Sequence, residues 1–159
     1  MTSTASNWIG KLCATGSPVG ANIESQVVSF AAATTGAVAS KRLFTVNGVV
    51  SLTVIAVCSS NLAGSGTLEV GLGDSTAVFI AQSTGTDIDS GEIWSAAAPA
   101  TSYVAFSDTI PIWYLVNNDH VTYTVGTATL TSGIITFYCL WEPISEGAFV
   151  QAAGVNATA

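Results

Sequence analysis

The stretch VVSLTVIAVCS, residues 49–59, decides the fold. Every second residue from position 50 is apolar, and these side chains would form one continuous face: Val50, Leu52, Val54, Ala56 and Cys58. The polar residues Ser51 and Thr53 fall on the opposite side at the start of the stretch. Alternation with a period of two indicates a half-buried β-strand, because successive side chains of a strand point to opposite faces. The stretch therefore predicts a strand that packs on a core.

The same alternation recurs along the rest of the chain. It predicts strands over 67–71, 120–126 and 134–142, and weaker patterns predict strands over 43–47, 77–82, 92–95, 103–107 and 110–117. Turn-forming residues separate several of them, as at Asn47-Gly48 and at Gly73-Asp74. The run 27–39 contains Gly36 and a Thr pair, which favours a strand or extended arm over a helix. This spacing is typical of a sandwich, a jelly roll or a barrel. We predict an all-β, antiparallel β-sandwich of jelly-roll-like form, although the pattern does not separate a jelly roll from an immunoglobulin-like sandwich.

The two ends of the chain differ from its middle. Residues 1–42 are rich in Ser, Thr, Ala and Gly, and the chain closes with QAAGVNATA. Neither end could fold alone. We therefore divide the chain into an N-terminal arm (1–42), a β-sandwich body (43–143) and a C-terminal arm (144–159). Such arms are either disordered or become ordered on a neighbouring subunit.

Charged side chains are scarce in this sequence. They make up 8% of the residues, where about 25% is typical of soluble domains, and the mean hydropathy is +0.55. Because charges keep free monomers apart, we expect partners to cover much of the surface. The alternative is that Ser and Thr alone supply enough polar surface. No apolar run approaches the length of about 20 residues that spans a membrane, and the start of the chain lacks the apolar stretch of a signal peptide, so we expect no membrane partner.

The few charges are unevenly distributed. The first 42 residues carry Lys11, Lys41 and Arg42 with one acid, Glu24, which gives a formal charge of +2. Residues 43–159 carry nine acids and neither Lys nor Arg, which gives −9. Because DNA and RNA are bound through cations that neutralise phosphates, a body of this sign repels them. We therefore expect no nucleic-acid partner.

A partner contact is predicted in the N-terminal segment. A lone Trp in an otherwise featureless segment is often an anchor at an interface, and the cations suit an acidic partner. The candidate contact residues are Trp8, Ile9, Lys11, Leu12, Lys41 and Arg42. The aromatic residues Trp94, Trp113, Tyr114, Tyr123, Phe137, Tyr138 and Trp141 could form a sugar-binding platform, but at strand spacing such residues more often fill a core or an interface between subunits.

Residues that could carry catalysis are few. His120 is the chain's one histidine, and no nucleophile signature accompanies it, so we interpret it as a solvated turn residue. The spacing of Cys13, Cys58 and Cys139 fits neither a disulfide framework nor a zinc motif. Buried thiols are the preferred interpretation, and they suit assembly in a reducing cytoplasm. We predict no enzymatic activity and no cofactor.

One acidic cluster is a candidate metal site. Asp87, Asp89 and Glu92 could offer oxygen ligands to Ca²⁺, although the cluster lacks the further ligands of an EF-hand loop. Paired-carboxylate catalysis would need a cleft between the two groups, and adjacent loop residues do not indicate one. The preferred interpretation is a charged turn that leads into the strand at 92–95, with no metal.

A family resemblance covers roughly residues 43–145. The stretch GTLEVGLGDSTAVFIAQSTGTDIDSGEIW (66–94) resembles a segment of small virion proteins of tailed bacteriophages. Three further pieces continue the resemblance: IPIWYLVNN (110–118), VTYTVGTATLTSG (121–133) and ITFYCLWEPIS (135–145). Proteins of this kind are often capsid cement or decoration proteins.

The resemblance implies both an architecture and a role. It implies a β-sandwich or jelly-roll body, usually a homotrimer, that sits over junctions between major capsid proteins and is tied to the shell by terminal arms. The chain would then be a structural virion protein on the capsid surface, assembled in the host cytoplasm, that stabilises the phage head. The alternative is a receptor- or carbohydrate-binding β module of a phage tail or fibre.

Overall fold

The computed structural model describes residues 22–95 and 112–154, which form two five-stranded antiparallel sheets. Sheet A contains β1 (Asn22–Ser29), β3 (Val49–Ala63), β6 (Ile93–Trp94), β7 (Tyr114–Asn117) and β9 (Ser132–Pro143). Sheet B contains β2 (Ala39–Asn47), β4 (Thr67–Leu72), β5 (Ser75–Thr84), β8 (His120–Gly126) and β10 (Phe149–Ala152). A short 3-10 helix, Gly85–Asp87, follows β5. The predicted all-β, antiparallel sandwich is confirmed.

The strands pair in a nested pattern along the chain. In sheet A the order is β1–β9–β3–β6, and β7 pairs with β3 beside β6 on the edge opposite β9. In sheet B the order is β10–β2–β8–β4–β5. Thus β1 pairs with β9, β2 with β8, β3 with β6 and β7, and β4 with β5. The chain therefore changes sheet at most of its connections.

The core lies between the two sheets. Alternate residues of β3, β8 and β9 point into it, as the period-two pattern predicted. The rings of Tyr123 on β8 and Phe137 on β9 stack across the gap, with their centroids 6.1 Å apart. Trp94 is fully buried on β6, and its Nε1 donates a hydrogen bond to Ser83 Oγ on β5 at 3.0 Å. A buried polar atom of sheet A thus finds its partner on sheet B, which avoids the cost of an unsatisfied donor.

The predicted arm boundaries are wrong where the structure describes those residues. Residues 22–42 were predicted to belong to an N-terminal arm, but they include β1, which pairs with β9 over its full length, and the start of β2. The predicted C-terminal arm contains β10, which pairs with β2. Edge strands bury few side chains, so their composition resembles that of an arm. Residues 1–21 and 155–159 lie outside the described residues.

The central strand predictions agree with the structure. The segments 49–59, 67–71, 120–126 and 134–142 fall within β3, β4, β8 and β9, and the weaker segments 43–47 and 77–82 fall within β2 and β5. The segments 92–95 and 110–117 contain the shorter strands β6 and β7. The strand predicted over 103–107 lies outside the described residues. Within residues 22–95 and 112–154, no helix has the length and apolar character needed to cross a membrane.

Candidate interaction surface

The two sheets present outer faces of opposite character. On sheet A, about half of the side chains that point away from the core are apolar, and the others are mainly Ser and Thr. We call this surface the apolar face, and it consists of Ile23, Val27, Val49, Ile55, Val57, Ile93, Leu115, Ile134, Tyr138 and Leu140. On sheet B, the outward side chains are mostly Ser, Thr, Asn and Gln, and we call that surface the polar face.

Strand register makes the apolar face contiguous. Ile23 of β1 lies opposite Leu140 of β9, and Tyr138 of β9 lies opposite Ile55 of β3. The Cβ atoms of such directly opposed residues are about 4.5–5.5 Å apart, so their side chains touch. The face is therefore continuous from β1 through β9 to β3 and β6, whereas Leu115 on β7 lies opposite Ser51 at its margin.

The rim of the apolar face is the most exposed part of it. Leu115 on β7 is 73% exposed, and Ile23 and Val27 on β1 are 63% and 52% exposed. The residues between these edges are half-buried. A contiguous apolar surface on a small domain marks an interaction site, because isolated monomers rarely leave one open to water.

Charge is nearly absent from this face. Among the outward-pointing residues of the sheet A strands in the described part of the chain, Glu142 is the charged one. It lies opposite Ser51, near one end of β9. The other polar positions carry small uncharged groups, such as Ser25 and Thr136. A partner on this face would be held by apolar contacts rather than by ion pairs.

On the polar face of sheet B, several side chains pair with side chains of the neighbouring strand. Ser40 Oγ and Thr124 Oγ1, on β2 and β8, are 2.7 Å apart and share a hydrogen bond. On β5 and β4, Gln82 Nε2 donates to Glu69 Oε2 at 3.3 Å. Cross-strand pairs of this kind stabilise a sheet whose surface meets water. The sandwich thus has one side suited to solvent and one side suited to a partner.

The structure does not support the prediction that Lys41 contacts a partner. Its side chain is buried, and Nζ donates a hydrogen bond to the Ala37 carbonyl oxygen at 2.8 Å and lies 5.8 Å from the centroid of the Tyr123 ring. Burial lowers the pKa of Lys41. The structure uses this cation inside the fold, where a long side chain can bury its stem and still bond its head group.

Arg42 is half-buried on the polar face, on the side of the sandwich opposite the apolar face. Its Nε is buried and has no hydrogen-bond partner among the described residues. The other predicted contacts, Trp8, Ile9, Lys11 and Leu12, lie outside the described residues. The structure therefore leaves those four untested and separates Arg42 from the apolar face.

Two carboxylates of the acidic loop, those of Asp89 and Glu92, accept hydrogen bonds from other groups of the protein. Asp89 Oδ1 accepts a hydrogen bond from Asn61 Nδ2 at 2.6 Å, and Asn61 Oδ1 accepts one from the backbone N–H of Ser90 at 2.9 Å. Glu92 Oε2 accepts one from the backbone N–H of Asp89 at 2.8 Å. Across the described residues, no group of three His, Cys, Asp or Glu side chains is arranged to hold a metal ion. The Ca²⁺ candidates Asp87, Asp89 and Glu92 thus belong to a loop that is anchored to β3.

His120 does not occupy the solvent-exposed turn position that the sequence predicted. His120 begins β8 and is half-buried, and its Nδ1 is buried without a hydrogen-bond partner in the described part of the chain, so it is not a solvated turn residue.

Cys58 and Cys139 are buried free thiols, as the sequence predicted. Burial raises the pKa of both, to about 12 for Cys139, which keeps them protonated and unreactive. Cys13 lies outside the described residues.

The aromatic residues divide between core and surface. Trp94, Tyr123, Phe137 and Trp141 are buried, as expected of core residues. Tyr114 packs edge-on against Phe79, with ring centroids 5.4 Å apart. Trp113 is 40% exposed and Tyr138 lies on the apolar face, so these two are the members of the set that a ligand could reach.

The outward half of β9 was missed in the sequence. The alternation identified the inward set of this strand, but it assigned no role to Ile134 and Leu140, and it named Tyr138 only as one of the aromatic candidates. The signal was the almost unbroken apolar run from 134 to 141. A strand that is apolar on both sides is expected where both sides become covered.

Comparison with known proteins identifies no relative. No protein-family model, no curated protein and no solved structure matches the chain. The resemblance to phage virion proteins therefore stays a prediction, and the functional inference rests on the physical character of the two faces.

Proposed function

We propose that this chain is a structural, non-enzymatic virion protein of the capsid cement or decoration type. It binds the major capsid protein on the surface of a phage head as a homotrimer, and it needs neither nucleic acid, membrane nor cofactor. Assembly takes place in the host cytoplasm. The observation that carries the proposal is the apolar face, a nearly uncharged side of a domain in which only 8% of residues are charged, because such a face fits a subunit that is held among copies of itself in an assembly.

We infer that the strand order is that of a jelly roll. In an eight-stranded jelly roll the first strand pairs with the last, the second with the seventh, and so on inward. The nested pairs of this chain follow that scheme if β6 and β7 are counted as one interrupted strand and β10 as an addition beside β2. Double-sheet jelly rolls occur in viral capsid proteins and in lectins. Because a fold alone does not assign a function, this order supports the proposal without carrying it.

The contrast between the faces supports a fixed orientation within an assembly. The polar face would meet solvent, where the net charge of −7 keeps neighbouring particles apart. Residues 1–21, with Trp8 and Lys11, are the proposed contact with the shell. A trimer would offer three such contacts, so that each weak one acts at high effective concentration. A protein that binds the assembled lattice alone stabilises it by mass action.

The test is binding to purified phage heads that lack this protein. The full chain should bind in hundreds of copies per head, counted by quantitative mass spectrometry, and should raise the temperature at which the heads release DNA. Removing residues 1–21 should lower occupancy and leave the sandwich folded, since β1 begins at Asn22. A chain that does not bind heads, or that binds in only a few copies, contradicts the proposal.

A second candidate is a carbohydrate-binding module of a tail or fibre. One observation favours it, the 40% exposure of Trp113, because an exposed Trp ring can stack on a sugar. The inferred jelly-roll order, which lectins share, is compatible with it. A glycan array separates the two candidates. Specific sugar binding that is lost in Trp113→Ala would support the second, whereas binding to heads without any sugar binding supports the first.

A further inference from the structure

We propose that the apolar face is the surface through which copies of this chain contact one another. Its occupant is a second copy of the same face, not the capsid protein and not a small ligand. The inference does not depend on the proposed virion role, because it follows from the size, the charge and the shape of the face.

The size of the face matches a stable interface. Sheet A has four strand positions across, and its central strand β9 has 12 residues. At about 4.8 Å between strands and about 3.4 Å per residue, the 41 residues of its five strands cover roughly 670 Å². A standard specific interface buries about 800 Å² on each partner. One such face is therefore large enough to hold two copies together.

The charge distribution allows copies of this chain to meet at the apolar face. Each chain carries a net charge of −7, so two copies repel wherever their acids come close. The apolar face brings no acid to its centre, because Glu142 lies near one end of β9. Interfaces between identical subunits are also more apolar than those between proteins that meet transiently. An uncharged apolar surface is thus the place where acidic copies can associate.

The shape of the face also suits contact with an identical face. The outer side of a sheet packs against another sheet at a separation of about 10 Å, with the strands nearly aligned and their side chains interdigitated. Two faces related by a two-fold axis would meet in this way, with identical patches in contact. In a trimer, three such faces would surround the axis, and each would be shared between two neighbours. Either arrangement buries the exposed edge residues Ile23 and Leu115.

The test is the mass of the full chain in solution, measured by light scattering after gel filtration. The wild type should show a multiple of 16.1 kDa. The double variant Ile23→Lys with Leu115→Lys should run as a monomer with an unchanged circular dichroism spectrum, because both side chains are exposed in the single chain. Its matched control is Thr84→Lys with Gln151→Lys, which adds the same charge to exposed positions on the edge strands β5 and β10 of sheet B. The control should remain an oligomer.

Two results would overturn the inference. One is a wild-type chain that stays monomeric over a wide concentration range, which would leave the face to another partner. The other is a folded Ile23→Lys, Leu115→Lys variant that keeps the wild-type mass.

A second measurement tests the inference even if the charged variant does not fold. A photo-reactive benzophenone amino acid at position 115 should cross-link one chain to another, and the same group at position 84 should not. Absence of the cross-link at 115, or an equal cross-link at 84, contradicts the inference. No phage head enters either experiment, so self-association can fail while head binding succeeds, and the reverse.

Discussion

Substituting Ala for Gly85 should destabilise the sandwich, and truncating Leu130 should remove part of that cost. Leu130 is fully buried in the connection between β8 and β9, and its backbone N–H bonds to the carbonyl oxygen of Gly36 at 2.9 Å. A methyl group on Gly85 would overlap Leu130 Cδ2 and would lie 3.1 Å from the carbonyl oxygen of Gly66. The absence of a side chain at Gly85 thus creates the space that Leu130 fills.

The expected magnitudes follow from packing. Adding a methyl group to a filled core costs about 1–3 kcal/mol, and Leu→Ala at a fully buried site costs about 2–5 kcal/mol. Gly→Ala also lowers the conformational entropy of the unfolded chain, which stabilises the folded protein by about 0.4–1 kcal/mol. Because the cost of overpacking is larger, Gly85→Ala should be destabilising overall. If the two sites were independent, their costs would add. Because they compete for one volume, we expect the double variant to lose about 1–3 kcal/mol less than the sum of the single variants.

The assay is urea unfolding of the wild type, the two single variants and the double variant, followed by circular dichroism. Gly73→Ala is the matched control, because a Cβ at Gly73 meets no atom within 4 Å. It should change stability by less than about 0.5 kcal/mol, and it should combine additively with Leu130→Ala. Costs for Gly85→Ala and Leu130→Ala that add to within about 0.5 kcal/mol would refute the shared-volume reasoning.

Two further predictions concern the buried thiol and the acidic loop. Because burial raises the pKa of Cys139 from 9.0 to about 12, the unfolded chain loses this proton at a lower pH than the folded chain does, so stability should fall as pH rises between these values. Urea unfolding across this range should show a shallower fall for Cys139→Ala, and an equal slope would contradict the assignment. Asn61→Ala removes two hydrogen bonds to the acidic loop, and should cost about 1–2 kcal/mol and speed hydrogen exchange at residues 88–92. Thr86→Ala, an exposed change in the neighbouring 3-10 helix, should do neither.

The central strands could be predicted from the sequence because burial of one side of a strand makes apolar and polar residues alternate along it. The strands β3, β8 and β9 each bury every second residue, and each was found. The edge strands β1 and β10 bury few residues, and the only large apolar side chain that β10 buries is Val150. Their composition alone therefore does not separate an edge strand from an extended arm.

The error at Lys41 has a different cause. Charged residues are almost never fully buried unless their charge is paired or bonded, so a sequence argument places a lysine at the surface by default. Here the bond to the Ala37 carbonyl oxygen and the nearby Tyr123 ring replace part of the lost hydration. Those groups come from a turn and from the next strand of sheet B, and only the tertiary structure brings them together.

The scarcity of charge left two explanations open, and the outer sides of the two sheets differ in how well polar uncharged groups account for it. A sandwich requires one apolar side on each strand, and β8 meets that requirement with Thr122 and Thr124 on its outer side. On sheet B, uncharged hydroxyl and amide groups supply most of the polar surface, together with a few charged residues such as Glu69. The same explanation fails for sheet A, because β9 carries Ile134, Tyr138 and Leu140 on its outer side as well as a full inward set. Part of the apolar excess of the composition therefore lies on a surface that the core does not use, and we propose that a second copy of the chain covers it.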